Sequence, residues 1–359
     1  MKKYIIIIAL GIGIVSCNSY QEIVDIKGYK YEILKSGNSK NLLFLCEASN
    51  IVGIDTTTFT VEVQLRMNDM SFGGVTKLPN GGIAFTHERR TSNNAWGETL
   101  YVTDDEYSIV NTYPVCPSPM APKVVNNVLM VGSSGLEEGG TMKFQLYNIS
   151  DFSLIKEFLL EDMVDAWRIL GHDNYAYFGV PVNRPFPNRQ YSYLVELDLN
   201  TNNITEFFDE NDFFKESAYS LWKQDSILYV FNIGKKDACT LNLNNKTISQ
   251  PIKISQYPEI KAINALNCFH PKYIDGHLYV FFGEYGYGMD DPYICHWVKL
   301  NAKTFALEKI NKLTIPFGLT GPAYQFHAGR FYVIQVEKNV LFIDVESGEI
   351  VETVVLDID

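Results

Sequence analysis

The side chains with the clearest chemical potential gather in the segment Thr86-His87-Glu88-Arg89-Arg90, with Trp96 shortly after it. A guanidinium is a rigid fork that matches a carboxylate, phosphate or sulfate. In a chain of net charge −12, Arg89 and Arg90 are therefore candidates for holding an anionic group, the plain alternative being a salt bridge to a local glutamate. Arg184 and Arg189 form a second such pair. Trp167, Tyr285 and Tyr287 offer flat apolar platforms, as does Phe186. An aromatic floor with a few fixed polar groups is how a sugar or a large planar molecule is held. For Trp167 the alternative is packing inside the fold. His270 is the second histidine placed to join His87.

Two reactions would suit parts of this set. A lyase acting on a uronate needs a His or Tyr base and an arginine, which His87, Arg89, His270 and Tyr285 could supply. A glycosidase needs two carboxyl groups roughly 5 to 9 Å apart, for which Glu137, Glu138, Asp290 and Asp291 are the candidates. A metal site needs three or four convergent ligands. Asp209-Glu210-Asn211-Asp212 and Asp290-Asp291 lack the glycine and terminal glutamate of a calcium loop, so no metal and no cofactor is expected. There is no G-x-S-x-G, H-E-x-x-H or P-loop.

These residues are scattered along the chain, so the fold must bring them together. A turn followed by an apolar, aromatic-rich strand recurs seven times, about every 45 residues. The copies begin at Ser39, Asn80, Asn126, Asp173, Asp225, Asp275 and Ala328. After each comes a strand ending near Asp or Asn and a polar turn. Clear cases are Gly53-Ile54-Asp55-Thr56-Thr57, Val195-Glu196-Leu197-Asp198-Leu199-Asn200 and Phe342-Ile343-Asp344-Val345-Glu346-Ser347-Gly348. Asn, Asp and Gly suit such turns because they accept left-handed backbone angles or make local side-chain turns. Val, Ile, Tyr and Phe suit the strands between. Four strands in each of seven units is the pattern of an all-β, seven-bladed β-propeller, with six or eight blades as the alternative counts. The chain resembles propellers of the quinoprotein-like and YVTN-repeat kind over nearly its whole length. It lacks WD, kelch double-glycine and sialidase Asp-box series.

That resemblance sorts the candidates by face. In a propeller the loops between second and third strands share a face with the connections between blades. Thr86 to Glu98, Gly132 to Met142, Pro181 to Gln190 and Gly283 to Tyr293 are long loops of this kind, and Asp209 to Ala218 and Gln256 to Phe269 are long connections. His87, Arg89, Arg90, Trp96, Arg184, Arg189, Tyr285 and Tyr287 lie in or at these loops, and His270 opens an inner strand beneath them. His172, His277 and His327 lie by turns on the opposite face, and His296 lies inside a strand. Long loops gathered on one face are where a rigid scaffold carries function.

The N-terminus frames where this happens. Met1-Lys2-Lys3 precedes an apolar run from Tyr4 to Val15, then Ser16-Cys17, the layout of an export signal too short to span a bilayer comfortably. Ile14-Val15-Ser16-Cys17 resembles a bacterial lipobox. That resemblance implies cleavage before Cys17 and its acylation, leaving a signal peptide over residues 1–16, a tether over 17–28 and one propeller domain over 29–359. The body would then be held on a membrane, with the outer membrane or cell surface expected. The acidic balance argues against nucleic acid, whose phosphates need a basic face. Cys46, Cys116, Cys239, Cys268 and Cys295 are odd in number and show no CxxC spacing, so they form no disulfide framework, and Cys46, Cys239 and Cys295, inside apolar strand patterns, are expected to be buried small hydrophobes. The composite expectation is a membrane-anchored protein that binds a small molecule or glycan and serves nutrient uptake through an outer-membrane transporter. A glycan-active enzyme and a scaffold for envelope proteins are the alternatives.

Overall fold

The seven units fold as seven antiparallel sheets in a computed structural model that describes residues 20–24, 30–47, 49–89, 95–133, 142–160, 167–181, 192–207, 219–232, 235–263, 267–284, 292–318, 324–336 and 338–358. Blade two is Ser71–Lys77, Ile83–Arg89, Trp96–Thr103 and Ile109–Pro114. Blade three is Lys123–Val125, Val128–Gly132, Met142–Asn148 and Leu154–Leu160. Blade four is Trp167–His172, Tyr175–Pro181, Ser192–Asp198 and Asn203–Phe207. Blade five is Tyr219–Gln224, Ile227–Asn232 and Asp237–Asn242, edged by two short strands, Thr247–Ile248 and Ile252–Lys253. Blade six is Asn267–Ile274, His277–Glu284, Pro292–Asn301 and Leu307–Gly318, and blade seven is Tyr324–Ala328, Phe331–Val336, Asn339–Asp344 and Ile350–Val355. From blade two onward the first strands of successive sheets are neighbours, which sets them around an axis. The propeller and its seven blades are as the repeat predicts.

Blade one is built differently. Its strands Leu42–Glu47, Asn50–Asp55 and Val61–Met67 carry the same turns as the second, third and fourth strands elsewhere. The preceding strand, Lys30–Lys35, joins the outer edge beside Val61–Met67, and Tyr20–Val24 pairs beyond it. The strand that precedes these three is thus added outside, and among the described residues Leu42–Glu47 forms the inner edge.

The turns explain the hairpins. In blades three to seven the first and second strands are joined by two residues, the first at a positive φ of 46° to 57°: Asn126, Asp173, Asp225, Asp275 and Gly329. Third and fourth strands are joined through an Asx turn in all seven blades. The Oδ1 atoms of Asp55, Asp104, Asn148, Asp198, Asn242, Asn301 and Asp344 each accept a backbone N–H at 2.8–3.0 Å. The residue after the Asx then donates its N–H to the other turn of the same blade, as from Leu199 to Asn174 O at 2.8 Å and from Val345 to Arg330 O at 3.0 Å.

Each Asx turn also holds one residue in the left-handed region: Phe59, Tyr107, Phe152, Asn202, Lys246, Phe305 and Gly348. That residue meets the blade before its own. Tyr107 tilts against Phe44 of blade one, with centroids 5.4 Å apart, and Phe152 stacks on Tyr113 of blade two at 5.3 Å. Phe305 packs edge-on against Tyr229 and Phe231 of blade five. Lys246 pairs with Glu196 of blade four and lies over the rings of Tyr175 and Tyr177. Asn202 offers its carbonyl to Lys156 Nζ of blade three at 3.1 Å. Gly348 abuts Trp297 of blade six, whose indole N–H donates to Val345 O at 2.6 Å. Phe59 closes the circle, packing against Phe331 and Phe342 of blade seven at 5.4 and 5.0 Å.

Among the described residues no strand is shared between the first and last blades. Closure rests on a core of Leu45, Val52 and Ile54 against Phe331, Val333, Val340, Phe342 and Val354, and on Gln335 Nε2 donating to Cys46 O at 3.1 Å. Cys239 and Cys295 are fully buried, and none of the described thiols Cys46, Cys116, Cys239 and Cys295 is in a disulfide. Burial, and then the Glu47 charge, push the Cys46 thiol up, which keeps it protonated.

The Asx turns predict an acid response. Bonds from the Ser39 side chain and from the Thr58 and Thr57 N–H groups hold Asp55 below the usual carboxylate range, and the Asn200 N–H leads in doing so for Asp198. A depressed folded pKa gives stability that is complete above the unfolded value, about 3.9, and lost as pH falls through the folded one. Asn fills the same position in blades three, five and six, so Asp55→Asn with Asp198→Asn keeps the turns without the titration. The double variant is expected to lose less of its thermal midpoint below about pH 4, measured against wild type across pH.

Candidate functional site

Antiparallel order places the two kinds of tight turn on one face and the remaining connections on the other. The second-to-third-strand connections on that face span 90–95, 133–141, 182–191 and 285–291 in blades two, three, four and six, but only 48–49 and 337–338 in blades one and seven. Elaboration is therefore unequal around the ring. The connection from blade five to blade six carries the 3-10 turn Ile254–Gln256 and the helix Pro258–Ala262. Buried Ile254, Ile260 and Ile263 pin it to the core shared by these blades.

The sequence puts His87 and Arg89 in a loop; both belong to the strand Ile83–Arg89. His87 is 3% exposed and stands opposite Phe72 and Thr99. The backbone comes close here: a Cβ on Gly97 would lie 2.0 Å from His87 O, so only glycine fits. Trp96 is half-buried and pairs in register with Arg89. Trp167 opens the inner strand of blade four opposite Gly179, and His270 lies in the inner strand of blade six. Arg90, Arg184, Arg189, Tyr285 and Tyr287 lie outside the described residues, as do Glu137, Glu138, Asp290, Asp291 and Cys17.

Two features of this face are not legible in the sequence. The inner strands of blades two, four and six are irregular near their loop-face ends, with register shifts between Phe72 and Gly74, Trp167 and Leu170, and Phe269 and Lys272. Bulges re-aim side chains and concentrate near sites, and these fall on the strands that carry Trp167 and His270.

The second feature is polarity sunk beneath the loops. Asn50, His87, Ser133, Ser220, Asn232, Asp237 and Gln335 are buried at or beside the loop-face ends of their strands, with buried Thr86 mid-strand and buried Ser118 in the connection between blades two and three. Many are tied to backbone: Thr86 Oγ1 donates to Met120 O at 2.9 Å, and Asn232 Oδ1 accepts from Lys235 N at 2.9 Å. Others keep capacity in reserve. Among the described residues, Asp237 Oδ1 and Gln335 Oε1 accept no hydrogen bond. Burial pushes the Asp237 carboxyl above its usual range, and Lys253, Lys235 and Ser255 offset only part of that.

An acid with a raised folded pKa costs stability once pH exceeds the unfolded value, because the folded state resists ionisation. Asp237→Asn is expected to raise the thermal midpoint at neutral pH, with the gain vanishing below about pH 4. A scanning-calorimetry series over pH reads this directly, and equal midpoints at neutral pH would remove the strain at Asp237.

No protein-family model matches the chain, and no curated protein matches it either. Solved structures do. The dihydro-heme d1 dehydrogenase NirN in complex with DHE is similar over 89% of this chain and 74% of its own, at 12% identity and a TM-score of 0.53. BamB from Moraxella catarrhalis is similar over 94% of this chain and 91% of its own, at 10% identity and a TM-score of 0.51. KlAtg21 in complex with the coiled-coil of AgAtg16 is similar over 92% of this chain and 96% of that one, at 10% identity and a TM-score of 0.56. Identities this low show the propeller architecture, with quinoprotein-like neighbours as the repeat suggests, and nothing of activity.

Proposed function

We propose that this chain is a lipid-anchored, non-enzymatic binding protein of the bacterial envelope that captures a small polar molecule or glycan on its loop-bearing face. The observation that supports the reading most is the set of buried polar groups beneath that face, Asn50, His87, Ser133, Ser220, Asn232, Asp237 and Gln335 among them. A few fixed polar groups beneath an elaborated face are how a binding site orients its ligand. Trp167 and Arg89 are the proposed platform and anion fork, and delivery to an outer-membrane transporter is the proposed use.

The test is purification of the full acylated chain in mild detergent, with mass spectrometry of retained small molecules and proteins. The expected result is a small molecule in near-stoichiometric amount, lost in Arg89→Ala and Trp167→Ala. A retained membrane protein with no small molecule would favour a scaffold instead. The anchor has its own test. Two or three acyl chains at roughly 0.8 kcal/mol per buried CH₂ hold a protein stably. Replacing residues 1–17 with a cleaved, non-lipidated export signal is therefore expected to move the protein from the membrane pellet to the soluble fraction almost completely.

A further inference from the structure

The outer strand of blade two ends at Pro114, and Pro117 and Pro119 follow in the passage to blade three. Proline has no N–H to extend a ladder, so beyond Pro114 the contact with the third strand thins to Val115 N–Glu98 O at 3.0 Å and Ser118 N–Gly97 O at 3.1 Å. Between the two blades a groove of about 440 Å³ remains, lined among others by Glu98, Lys143, Tyr147, Phe152, Leu154 and Glu157. Its floor is fixed. Gln145 accepts the Cys116 N–H at 3.1 Å through Oε1 and donates to Glu157 Oε2 at 2.9 Å through Nε2. Tyr147 donates its hydroxyl to Pro114 O at 2.9 Å. Both described bonds to Glu157 use Oε2, leaving Oε1 to an incoming donor.

One wall of the groove is the outer strand of blade three, Leu154–Leu160, whose far edge pairs with no strand among the described residues. It exposes Leu154, Ile155 and Leu159 by 52%, 46% and 60%. Apolar exposure on an open edge invites pairing with another chain, and natural edges usually blunt it with charge. The outer strand of blade seven also exposes apolar side chains. Beside blade three the groove sets two carboxylates against one ammonium, on a chain of net charge −12.

We propose that this groove and the adjoining Leu154–Leu160 edge form a docking site for an extended polypeptide segment that bears basic side chains. The segment adds as a strand to the open edge, with main-chain bonds giving affinity and alternate side chains giving specificity. Apolar residues cover Leu154 and Leu159, and a lysine or arginine enters between Glu98 and Glu157. Val115, Cys116 and Pro117 of the connection between the blades complete the lining.

The experiment titrates the full chain in detergent with an end-blocked heptapeptide of alternating valine and arginine, followed by fluorescence anisotropy, and with the same peptide carrying glutamate for arginine. The arginine peptide is expected to bind and the glutamate peptide not. Glu98→Lys, on an exposed side chain that folding does not need, and Glu157→Lys are each expected to weaken binding about tenfold or more. Leu159→Ser is expected to weaken it as well. Arg89→Ala, at the loop-bearing face, is expected to leave it unchanged, which separates this site from the proposed ligand site. The proposal is overturned if neither peptide binds, if both bind equally, if charge reversal has no effect, or if Arg89→Ala abolishes binding.

Discussion

Gly348→Ala is expected to destabilise the protein by about 2 to 5 kcal/mol, from two sources. The position holds φ +73°, and left-handed backbone costs an L-residue roughly 1–2 kcal/mol. The new methyl would also lie 2.7 Å from Cγ and 2.8 Å from Cδ2 of Trp297. That indole is 1% exposed and tied to Val345 O, so it has little room to retreat, and overpacking of this kind costs roughly 1–3 kcal/mol. The sources separate in a double-mutant cycle. In a Trp297→Leu background the steric part should fall away, leaving about 1–2 kcal/mol of backbone strain. Urea-denaturation midpoints of the four proteins measure it. An equal cost in both backgrounds would mean that the indole does not fill the space glycine leaves.

Phe342→Ala should cost about 3–5 kcal/mol, as for a fully buried aromatic ring. Phe342 is inaccessible to solvent and touches both Phe331 of its own blade and Phe59 of blade one. The location of the damage is more telling than its size. A structure whose units contact chiefly their neighbours opens where a junction fails. Hydrogen exchange should therefore rise in blades one and seven while blades three to five keep their protection. A uniform rise would mean that the ring unfolds as one unit and that its closure is no weaker than any other junction.

The repeat was readable because its turns rest on local chemistry: Asp55, Asp198 and Asp344 announce turns whatever surrounds them. Blade number follows from counting such turns. What each turn does to its neighbour was not readable, because the left-handed position holds phenylalanine, tyrosine, asparagine, lysine or glycine. The contact it makes is set by a partner about one blade away in the chain. His87 shows a related limit. The run Thr86-His87-Glu88-Arg89 is polar enough to read as a loop, yet it completes a strand, because bulges in the adjoining strand and the close approach at Gly97 accommodate the side chain. The offset strand of blade one was hidden too, since Lys30–Lys35 has the same apolar alternation whichever edge it joins. The face that carries the long loops was legible from loop length alone. The buried polar groups beneath it were not, because burial is a property of the ring and not of any one strand.

The variety of the seven left-handed residues bears on assembly order. A chain of identical blades could dock any unit behind any other, and misordered docking is a characteristic failure of repeat proteins. Here phenylalanine recurs at three junctions, but Tyr107, Lys246 and Gly348 occur once each. A glycine set behind blade four would leave Glu196, which is 7% exposed, without the Lys246 cation it pairs with, and an uncompensated buried charge costs about 3–5 kcal/mol. Lysine set behind blade six would meet an indole already occupying its space. At the junctions before blades five and seven the turns thus act as addresses, written in side-chain chemistry, that disfavour a wrong neighbour.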